Sequence, residues 1–163
     1  MSVAGTEGLQ SLYESAFTRL VRVVTLVSGE QQEAEEAVQE AFVRLVSVWG
    51  RVSAYDDPEA WVRSVALRQL SNRRRKVRNG QRAIQRLDAP QDQPGPHAEG
   101  IDITRALASL PLGQRQVVVL HYLVGLDLAT VATELHIPVG TCKSRLHHAR
   151  AALQPLLSED LHA

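Results

Sequence analysis

Charged side chains are the groups in this 163-residue sequence best placed to do chemistry, because they are segregated by sign although the formal net charge is zero. No acidic residue lies between Glu59 and Asp88, and a second acid-free interval runs from Leu135 to Ser158. The first interval holds nine basic residues, which are Arg63, Arg68, Arg73, Arg74, Arg75, Lys76, Arg78, Arg82 and Arg86. The second holds Lys143, Arg145, His147, His148 and Arg150. Basic helix faces attract phosphates and release their counterions, so both intervals predict contact with a polyanion.

An acidic cluster lies upstream of the first basic interval, at Glu30, Glu33, Glu35, Glu36 and Glu40. DNA would repel this cluster, which therefore indicates a basic protein surface as its partner. A lone run of one charge sign is usually a solvated helix face. Two basic segments on predicted helices, one of them inside a helix-turn-helix pattern, favour the binding interpretation.

Chemistry of other kinds is not indicated. Phosphate-binding glycine loops and activated-serine motifs are absent, and nothing places the acidic cluster in a desolvated site. His136, His147 and His148 lack a carboxylate or a second cysteine at metal-ligand spacing. The single cysteine, Cys142, excludes an intramolecular disulfide and fits a reducing compartment. With no N-terminal signal and no long apolar run, the sequence predicts a cytoplasmic binding protein without membrane insertion, catalytic residues, metal or cofactor.

Helical periodicity dominates the first half of the sequence. An apolar stripe at helical spacing runs through Ala34–Trp49 with glutamates on the opposite face, and Gly50 is predicted to break this helix. Asp57-Pro58-Glu59 predicts the next helix start, because these residues supply a capping carboxylate, a preset first turn and a charge that suits the helix dipole. This helix is expected to continue to Lys76.

Composition changes between the two halves. Residues 80–100 are rich in Gly, Pro, Gln and Asp, which predicts a flexible linker. A second helical block opens near Ile101 and pauses at Pro111, and Gln114–Val124 is apolar around nearly its whole circumference, as in a central buried helix. No strand alternation competes. The sequence therefore predicts an all-α protein of two small helical modules, residues 1–79 and 101–163, joined by that linker.

The segment Asp127–Leu153 has the pattern of a helix-turn-helix. Asp127 is a predicted N-cap, and Pro138 presets the first turn of the second helix. If Val139, Cys142 and Leu146 are buried, the remaining face carries Gly140, Thr141, Lys143, Ser144 and His147. Residues at the start of such a helix reach base edges in the major groove, while nearby hydroxyl and ammonium groups hold phosphates.

Four motifs follow one another in this sequence. They are Glu33–Leu45 (EAEEAVQEAFVRL), Pro58–Ala66 (PEAWVRSVA), Leu107–Val118 (LASLPLGQRQVV) and Pro138–His147 (PVGTCKSRLH). Together they resemble the extracytoplasmic-function (ECF) type of bacterial sigma factor, the small class of the sigma-70 family that keeps only regions 2 and 4. The resemblance covers roughly residues 9–79 and 101–157.

This resemblance implies an alternative sigma factor that binds core RNA polymerase and directs promoter-specific transcription initiation. It assigns binding of the clamp helices of the largest polymerase subunit to Glu36, Gln39 and Glu40. It assigns the −10 element to Tyr55, Trp61, Arg68, Asn72, Arg73, Arg74, Arg75 and Lys76. It assigns the −35 element to Thr141, Lys143, Ser144, Arg145, His147 and His148. Residue type alone makes Trp61 better suited to a core anchor than to a base-stacking platform.

Two alternative functions stay open at this point. A stand-alone helix-turn-helix regulator leaves the acidic helix unexplained, and a helical protein-binding adaptor predicts no salt-dependent affinity for DNA. Many relatives are held inactive by an anti-sigma protein, but no residue here identifies such a partner. The sequence also leaves open the promoter motif, the regulon, the inducing signal, the oligomeric state and the relative placement of the two modules.

Overall fold

The computed structural model of the chain describes residues 2–84 and 103–162, and it describes their side chains except those of 81–84 and 157–162. The described residues are helical and contain no strand. In chain order the helices are α1 (Val3–Ser28), α2 (Gln31–Val52), α3 (Pro58–Ile84), α4 (Ile103–Ala108), α5 (Leu112–Val118), a π-helical turn (Val119–Val124), α6 (Leu128–Leu135) and α7 (Val139–His162). The predicted all-α fold with two helical modules is confirmed.

The first module is a bundle of α1, α2 and α3. Gly29 has a left-handed backbone (φ 80°), which a residue with a side chain rarely adopts, and it allows the sharp turn between α1 and α2. Asp57 accepts a hydrogen bond from the backbone N–H of Ala60 at 3.1 Å, so the predicted cap of α3 is confirmed. Every residue of the stripe predicted on α2, from Ala34 to Trp49, is buried apart from Val46. Val46 is 50% exposed because it lies at the edge of the stripe, beside a groove between α1 and α2.

Two predicted helix ends are wrong. Gly50 lies inside α2, which continues to Val52; a glycine within a helix costs only about 1 kcal/mol and does not oblige it to stop. Helix α3 continues past Lys76 to Ile84, since arginine and lysine are good helix formers and Gly80 is tolerated in the same way. Most of the predicted linker (80–100) lies outside the described residues.

The second module consists of α4 to α7. Asp127 caps α6 by accepting a hydrogen bond from the Thr130 N–H at 2.7 Å, as predicted, and His136 ends α6 in a left-handed conformation (φ 56°). Cys142 and Leu146 of α7 are buried, but Val139 is 40% exposed, contrary to expectation, because it lies in the first turn of α7 beyond the packed interface.

The predicted central buried helix is only partly found. Val117–Leu120 are buried, whereas Tyr122 and Leu123 are 51% and 49% exposed. The chain changes to π-helical geometry at Val119, and the wider turn rotates the following side chains away from the core. Backbone bonding then closes the segment: the N–H of Leu126 donates to the carbonyl of Leu120 at 3.0 Å.

The two modules pack against each other, which settles the placement that the sequence left open. Helix α6 lies against α3, and α4 and α5 lie against α1. Arg115 donates to the carbonyl of Val27 at 2.6 Å, and the Gln116 amide donates to the Ser71 hydroxyl at 2.8 Å. Buried apolar residues of both modules form one continuous core.

Candidate nucleic-acid and polymerase interfaces

The acidic face of α2 carries the three residues predicted to bind polymerase. Gln39 is exposed, and the side chains of Glu36 and Glu40 are 55% and 37% exposed. Both carboxylates are held by Arg73 of α3: Nη1 lies 3.3 Å from Glu36 Oε2, and Nη2 lies 2.8 Å from Glu40 Oε2. Arg44, one turn further along α2, also approaches Glu40 at 3.5 Å.

A groove of about 440 Å³ adjoins this acidic face between α1 and α2. Its lining includes Gln39, Phe42, Val43, Val46 and Tyr13. Val43 is 70% exposed, and the Tyr13 and Phe42 rings meet edge to face with centroids 5.0 Å apart. Val43 is not among the residues predicted to bind polymerase, although its place one turn after Gln39 puts it on the same helix face.

Part of the residue set predicted for the −10 element shares one face of α3. Trp61, Arg68, Asn72 and Arg75 recur at steps of seven, four and three residues, the spacing of a single helix face. Arg68, Asn72, Arg75 and Lys76 are exposed, and Arg75 donates to the Asn72 side-chain carbonyl at 2.5 Å. Trp61 is half-buried and packs against the core, in agreement with an anchoring role.

The remaining residues of that set lie elsewhere. Tyr55 is 44% exposed in the loop before α3. Arg73 reaches across to Glu36 and Glu40, as described above. Arg74 donates to the carbonyl of Ser28 and to Glu33 at 3.2 Å, so it ties α3 to the turn between α1 and α2. Two cations predicted to bind DNA are therefore paired with acids of α2.

The predicted −35 residues lie along the first half of α7. Lys143, Ser144, His147 and His148 are exposed, with the two histidine rings 5.7 Å apart. Thr141 and Arg145 are half-buried. The Arg145 guanidinium lies against Gly113 of α5, where an added Cβ would approach its carbon Cζ to 3.0 Å, so a glycine at 113 gives it room.

Cys142 lies on the opposite, buried side of α7. Burial raises the pKa of its thiol, and the nearby Arg145 charge opposes this only in part. A raised pKa leaves little reactive thiolate near neutral pH. The residue acts as a small apolar side chain in the module core.

The contact between the modules contains an ion pair that sequence analysis did not find. Arg63 of α3 binds Glu134 of α6 through two hydrogen bonds, one of them 3.0 Å from Nε to Oε2, and both side chains are only 7% exposed. Burial alone would lower the pKa of Arg63, but the hydrogen bonds and charge of Glu134 outweigh it and raise that pKa. The Ser64 hydroxyl donates to the Glu134 backbone carbonyl. The available signal was an acid within the apolar face of α6, between Val131 and Leu135.

Two further points concern only the described ranges, residues 2–84 and 103–162. These ranges contain no group of three or more His, Cys, Asp or Glu residues able to hold a metal ion. None of their helices combines the length and the apolar character needed to cross a membrane.

Family models match both modules. Residues 12–80 match the model for sigma-70 region 2, and residues 101–153 match the model for sigma-70 region 4. The chain is 30% identical over 161 residues to the ECF RNA polymerase sigma factor SigL of Mycobacterium tuberculosis, covering 93% of this chain and 89% of that protein. It is 34% identical over 132 residues to SigF of Caulobacter vibrioides, covering 78% and 72%.

Solved structures support the fold at lower identity. The sigma factor RpoE from Bartonella quintana, determined in complex with the anti-sigma factor NepR, superposes with a TM-score of 0.72 at 20% identity, covering 94% of this chain and 99% of that one. CnrH, determined with the cytosolic domain of CnrY, gives a TM-score of 0.61 at 22% identity, covering 95% and 90%. The regulator and adaptor alternatives are not favoured by these findings. The chain belongs to the sigma-70 family as an ECF RNA polymerase sigma factor, which directs promoter-specific transcription initiation.

Proposed function

We propose that this sigma factor divides promoter recognition between its modules, with residues 1–79 docking on core polymerase and opening the −10 element. Residues 101–163 read the −35 element, and residues 80–100 connect the two. The chain works in the cytoplasm as a binding protein, without a catalytic site, metal or cofactor of its own. The observation that carries the proposal is that α2 and α3 present an acidic face and a basic face on one packed helical bundle.

Docking uses the α2 face that carries Glu36, Gln39 and Glu40. Its acidic charge complements the basic clamp helices of the largest polymerase subunit, which speeds encounter and sets orientation. Val43 and the adjoining groove add apolar surface beside the charges. A central apolar contact with a polar rim is the usual composition of a protein interface.

Opening the −10 element uses the face of α3 that carries Arg68, Asn72, Arg75 and Lys76. Extruding a base costs a few kcal/mol, so the strand must be held by cations and the base by a pocket or a stacking side chain. Tyr55, exposed in the loop before α3, is the aromatic residue best placed for stacking. Trp61 is half-buried and packs against the core, so it supports the DNA-binding face of α3 without contacting DNA.

Reading the −35 element uses α7 in the major groove. Lys143, Ser144, His147 and His148 are exposed along the side of α7 that faces away from the module core. Arg145 has its guanidinium braced over Gly113, and Thr141 is half-buried beside it. Side chains fixed by packing in this way define register on the duplex, while the exposed ones contact bases and phosphates.

The two modules pack against each other when the chain is not bound to polymerase. The two promoter elements lie about 25 base pairs apart, which at about 3.4 Å per base pair is about 85 Å. A compact chain of this length has a radius of gyration of about 15 Å, so packed modules cannot contact both elements of a straight duplex. Polymerase must therefore separate α6 from α3, which breaks the Arg63–Glu134 pair. The Bartonella quintana sigma factor was determined with the anti-sigma factor NepR, which supports a partner of this kind for this chain as well.

The experiment that tests the docking face is a titration of fluorescently labelled chain with purified core polymerase. The variant Gln39→Ala/Glu40→Ala is expected to bind core about tenfold more weakly, because the two side chains lie at the centre of the docking face and a combined loss of about 1.4 kcal/mol gives that factor. Glu35→Gln is the charge control: it removes one carboxylate of the same helix, but Glu35 lies one turn before Gln39 at the edge of the docking face, where it accepts a hydrogen bond from Gln31 at 3.1 Å. Equal core affinity for all three proteins would refute docking through α2.

A further inference from the structure

The pairing of Arg73 with the polymerase-docking acids suggests how the two faces of the first module communicate. We propose that Arg73 is an exchangeable counter-charge: in the free chain it neutralises Glu36 and Glu40, and docking on polymerase releases it to the DNA backbone. The inference rests on the proposed function, because it takes α2 as the docking face and α3 as the DNA face.

Geometry places Arg73 between these faces. Its guanidinium binds one carboxylate with each terminal nitrogen, at 3.3 Å for Glu36 and 2.8 Å for Glu40. Its neighbour Asn72 is exposed on the DNA face, as is Lys76 one turn further on. A long arginine side chain that leaves the acids therefore reaches phosphates held by the same helix.

The site is open enough for the exchange. A cleft of about 620 Å³ between α2 and α3 is lined by Glu33, Glu36, Arg73 and Lys76, together with Glu30, Gln32 and Val77. The side chain of Arg73 is 34% exposed. Incoming basic groups of the polymerase thus reach the Glu36 carboxylate through this cleft, and the Glu40 side chain is itself 37% exposed.

Arg74, in the same turn of α3, has contacts that do not suit an exchange of partners. It binds the main-chain carbonyl of Ser28 as well as Glu33, so a competing cation could replace only part of its contacts. Glu33 is also less exposed, at 21% of its side chain. We therefore assign Arg74 to holding α3 on the turn between α1 and α2, and the exchange to Arg73 alone.

The strength of the pair suits an exchange. An ion pair between half-exposed groups changes an equilibrium by a factor of about five or less. A polymerase cation in better geometry can displace it, and the released charge adds a comparable factor to DNA affinity. Coupling between two binding events is reciprocal, so DNA binding would strengthen polymerase docking by the same factor.

The test compares DNA binding by the full-length chain alone and in complex with core polymerase. The probe is a fluorescein-labelled single-stranded oligothymidylate, followed by anisotropy across a series of salt concentrations. Removing one cation that binds a phosphate of a single strand reduces the slope of log affinity against log salt by about 0.7. Arg73→Ala is compared with Arg75→Ala, a matched control whose guanidinium binds Asn72 instead of an acid.

Arg75→Ala is expected to reduce affinity and slope in both states. Arg73→Ala is expected to leave the free chain unchanged and to reduce affinity about two- to fivefold in the polymerase complex, with a slope smaller by about 0.7. The proposal is overturned if Arg73→Ala acts equally in both states, whether by reducing binding in both or in neither.

A second variant guards against misfolding as an explanation. Glu36→Gln/Glu40→Gln keeps Arg73 and removes the negative charges that hold it, so the free chain should bind the oligonucleotide about two- to fivefold more tightly. A misfolded chain would not gain affinity, and an unchanged affinity contradicts the exchange. Failure of the proposed function gives a different pattern: Arg75→Ala then has no effect in either state, or the double glutamine variant keeps full affinity for core.

Discussion

Two arginines of α3, ten residues apart, each bind a carboxylate on another helix, yet their surroundings differ. Arg63 and Glu134 are 7% exposed and hold the two modules together, whereas Arg73 is 34% exposed and binds two acids within one module. A buried pair that loses one partner leaves a desolvated charge, while an exposed pair loses little. The comparison indicates that the first pair keeps the free chain packed and that the second can change partners.

Breaking the buried pair should give the largest effect. Glu134→Gln leaves the Arg63 charge without its carboxylate, which destabilises a buried site by about 3–5 kcal/mol unless the site opens to water. We expect α6 to leave α3, so small-angle X-ray scattering should show a larger radius of gyration and urea denaturation a lower stability. A variant that stays as compact and as stable as the parent contradicts the inter-module role of this pair.

Replacing both partners sharpens that result. Arg63→Met/Glu134→Leu removes the two charges together, and such apolar replacements of buried pairs are often neutral or stabilising. The double variant should stay compact in scattering, in contrast to Glu134→Gln. If it expands as well, the packing depends on the ion pair itself and the desolvation argument is wrong.

Arg74 should show an intermediate effect. Arg74→Ala removes hydrogen bonds to the Ser28 carbonyl and Glu33, and a lost hydrogen bond to a charged group costs about 1.5–3 kcal/mol at a well-shielded site. The Arg74 side chain is 32% exposed, so solvent screening reduces the expected loss to about 1–2 kcal/mol. Arg73→Ala should cost less than about 1 kcal/mol. Urea denaturation of both variants checks the order, which would be refuted by a larger loss for Arg73→Ala.

Salt should distinguish the buried Arg63–Glu134 pair from the exposed pairs of Arg73 without any mutation. The Debye screening length falls to about 3 Å at 1 M ionic strength. Salt therefore weakens exposed ion pairs and affects buried ion pairs much less. The radius of gyration of the free chain should therefore stay constant between 0.1 M and 1 M sodium chloride. An expansion on adding salt would show that exposed charges, and not the buried pair, hold the modules together.

The smallest effect concerns the cap of α6, the helix that carries Glu134. Hydrogen bonds from Thr130 lower the pKa of Asp127 in the folded chain. A lowered pKa gives stability that is complete above the unfolded value of about 3.9 and is lost as pH falls through the folded pKa. Asp127→Asn still caps the helix but does not titrate, so it should remove this part of the acid destabilisation. Thermal melts at a series of pH values between about 5 and about 2 measure the effect. If the melting temperatures of the variant and the parent depend on pH in the same way, the stabilising role of the Asp127 carboxylate is contradicted.

Local patterns predicted most of the fold. Helical periodicity identified the stripe on α2, and the short-range caps at Asp57 and Asp127 are confirmed, because both depend on residues within one turn. The predictions that failed depend on details that periodicity does not record. Gly50 and Gly80 are tolerated inside long helices, and the π-helical turn at Val119–Val124 exposes Leu123.

The ion pairs between residues far apart in the chain could not be predicted from the sequence. Arg63 and Glu134 are 71 residues apart in the chain, and only the packing of α6 on α3 brings them together. For the same reason, the family resemblance assigns Arg73 to DNA and Glu40 to polymerase without indicating that the two side chains bind each other. Charge type could be read from the sequence, whereas charge partners required the fold.

Run-off transcription tests the central claim most directly. Purified core polymerase would transcribe fragmented genomic DNA of the source bacterium with and without this chain. We predict discrete new start sites that disappear with Gln39→Ala/Glu40→Ala, persist with the control Glu35→Gln, and weaken with Arg75→Ala. New start sites that are unaffected by the α2 variant would contradict docking through this face, and a lack of new start sites despite a stable polymerase complex would contradict the assignment of promoter opening to α3.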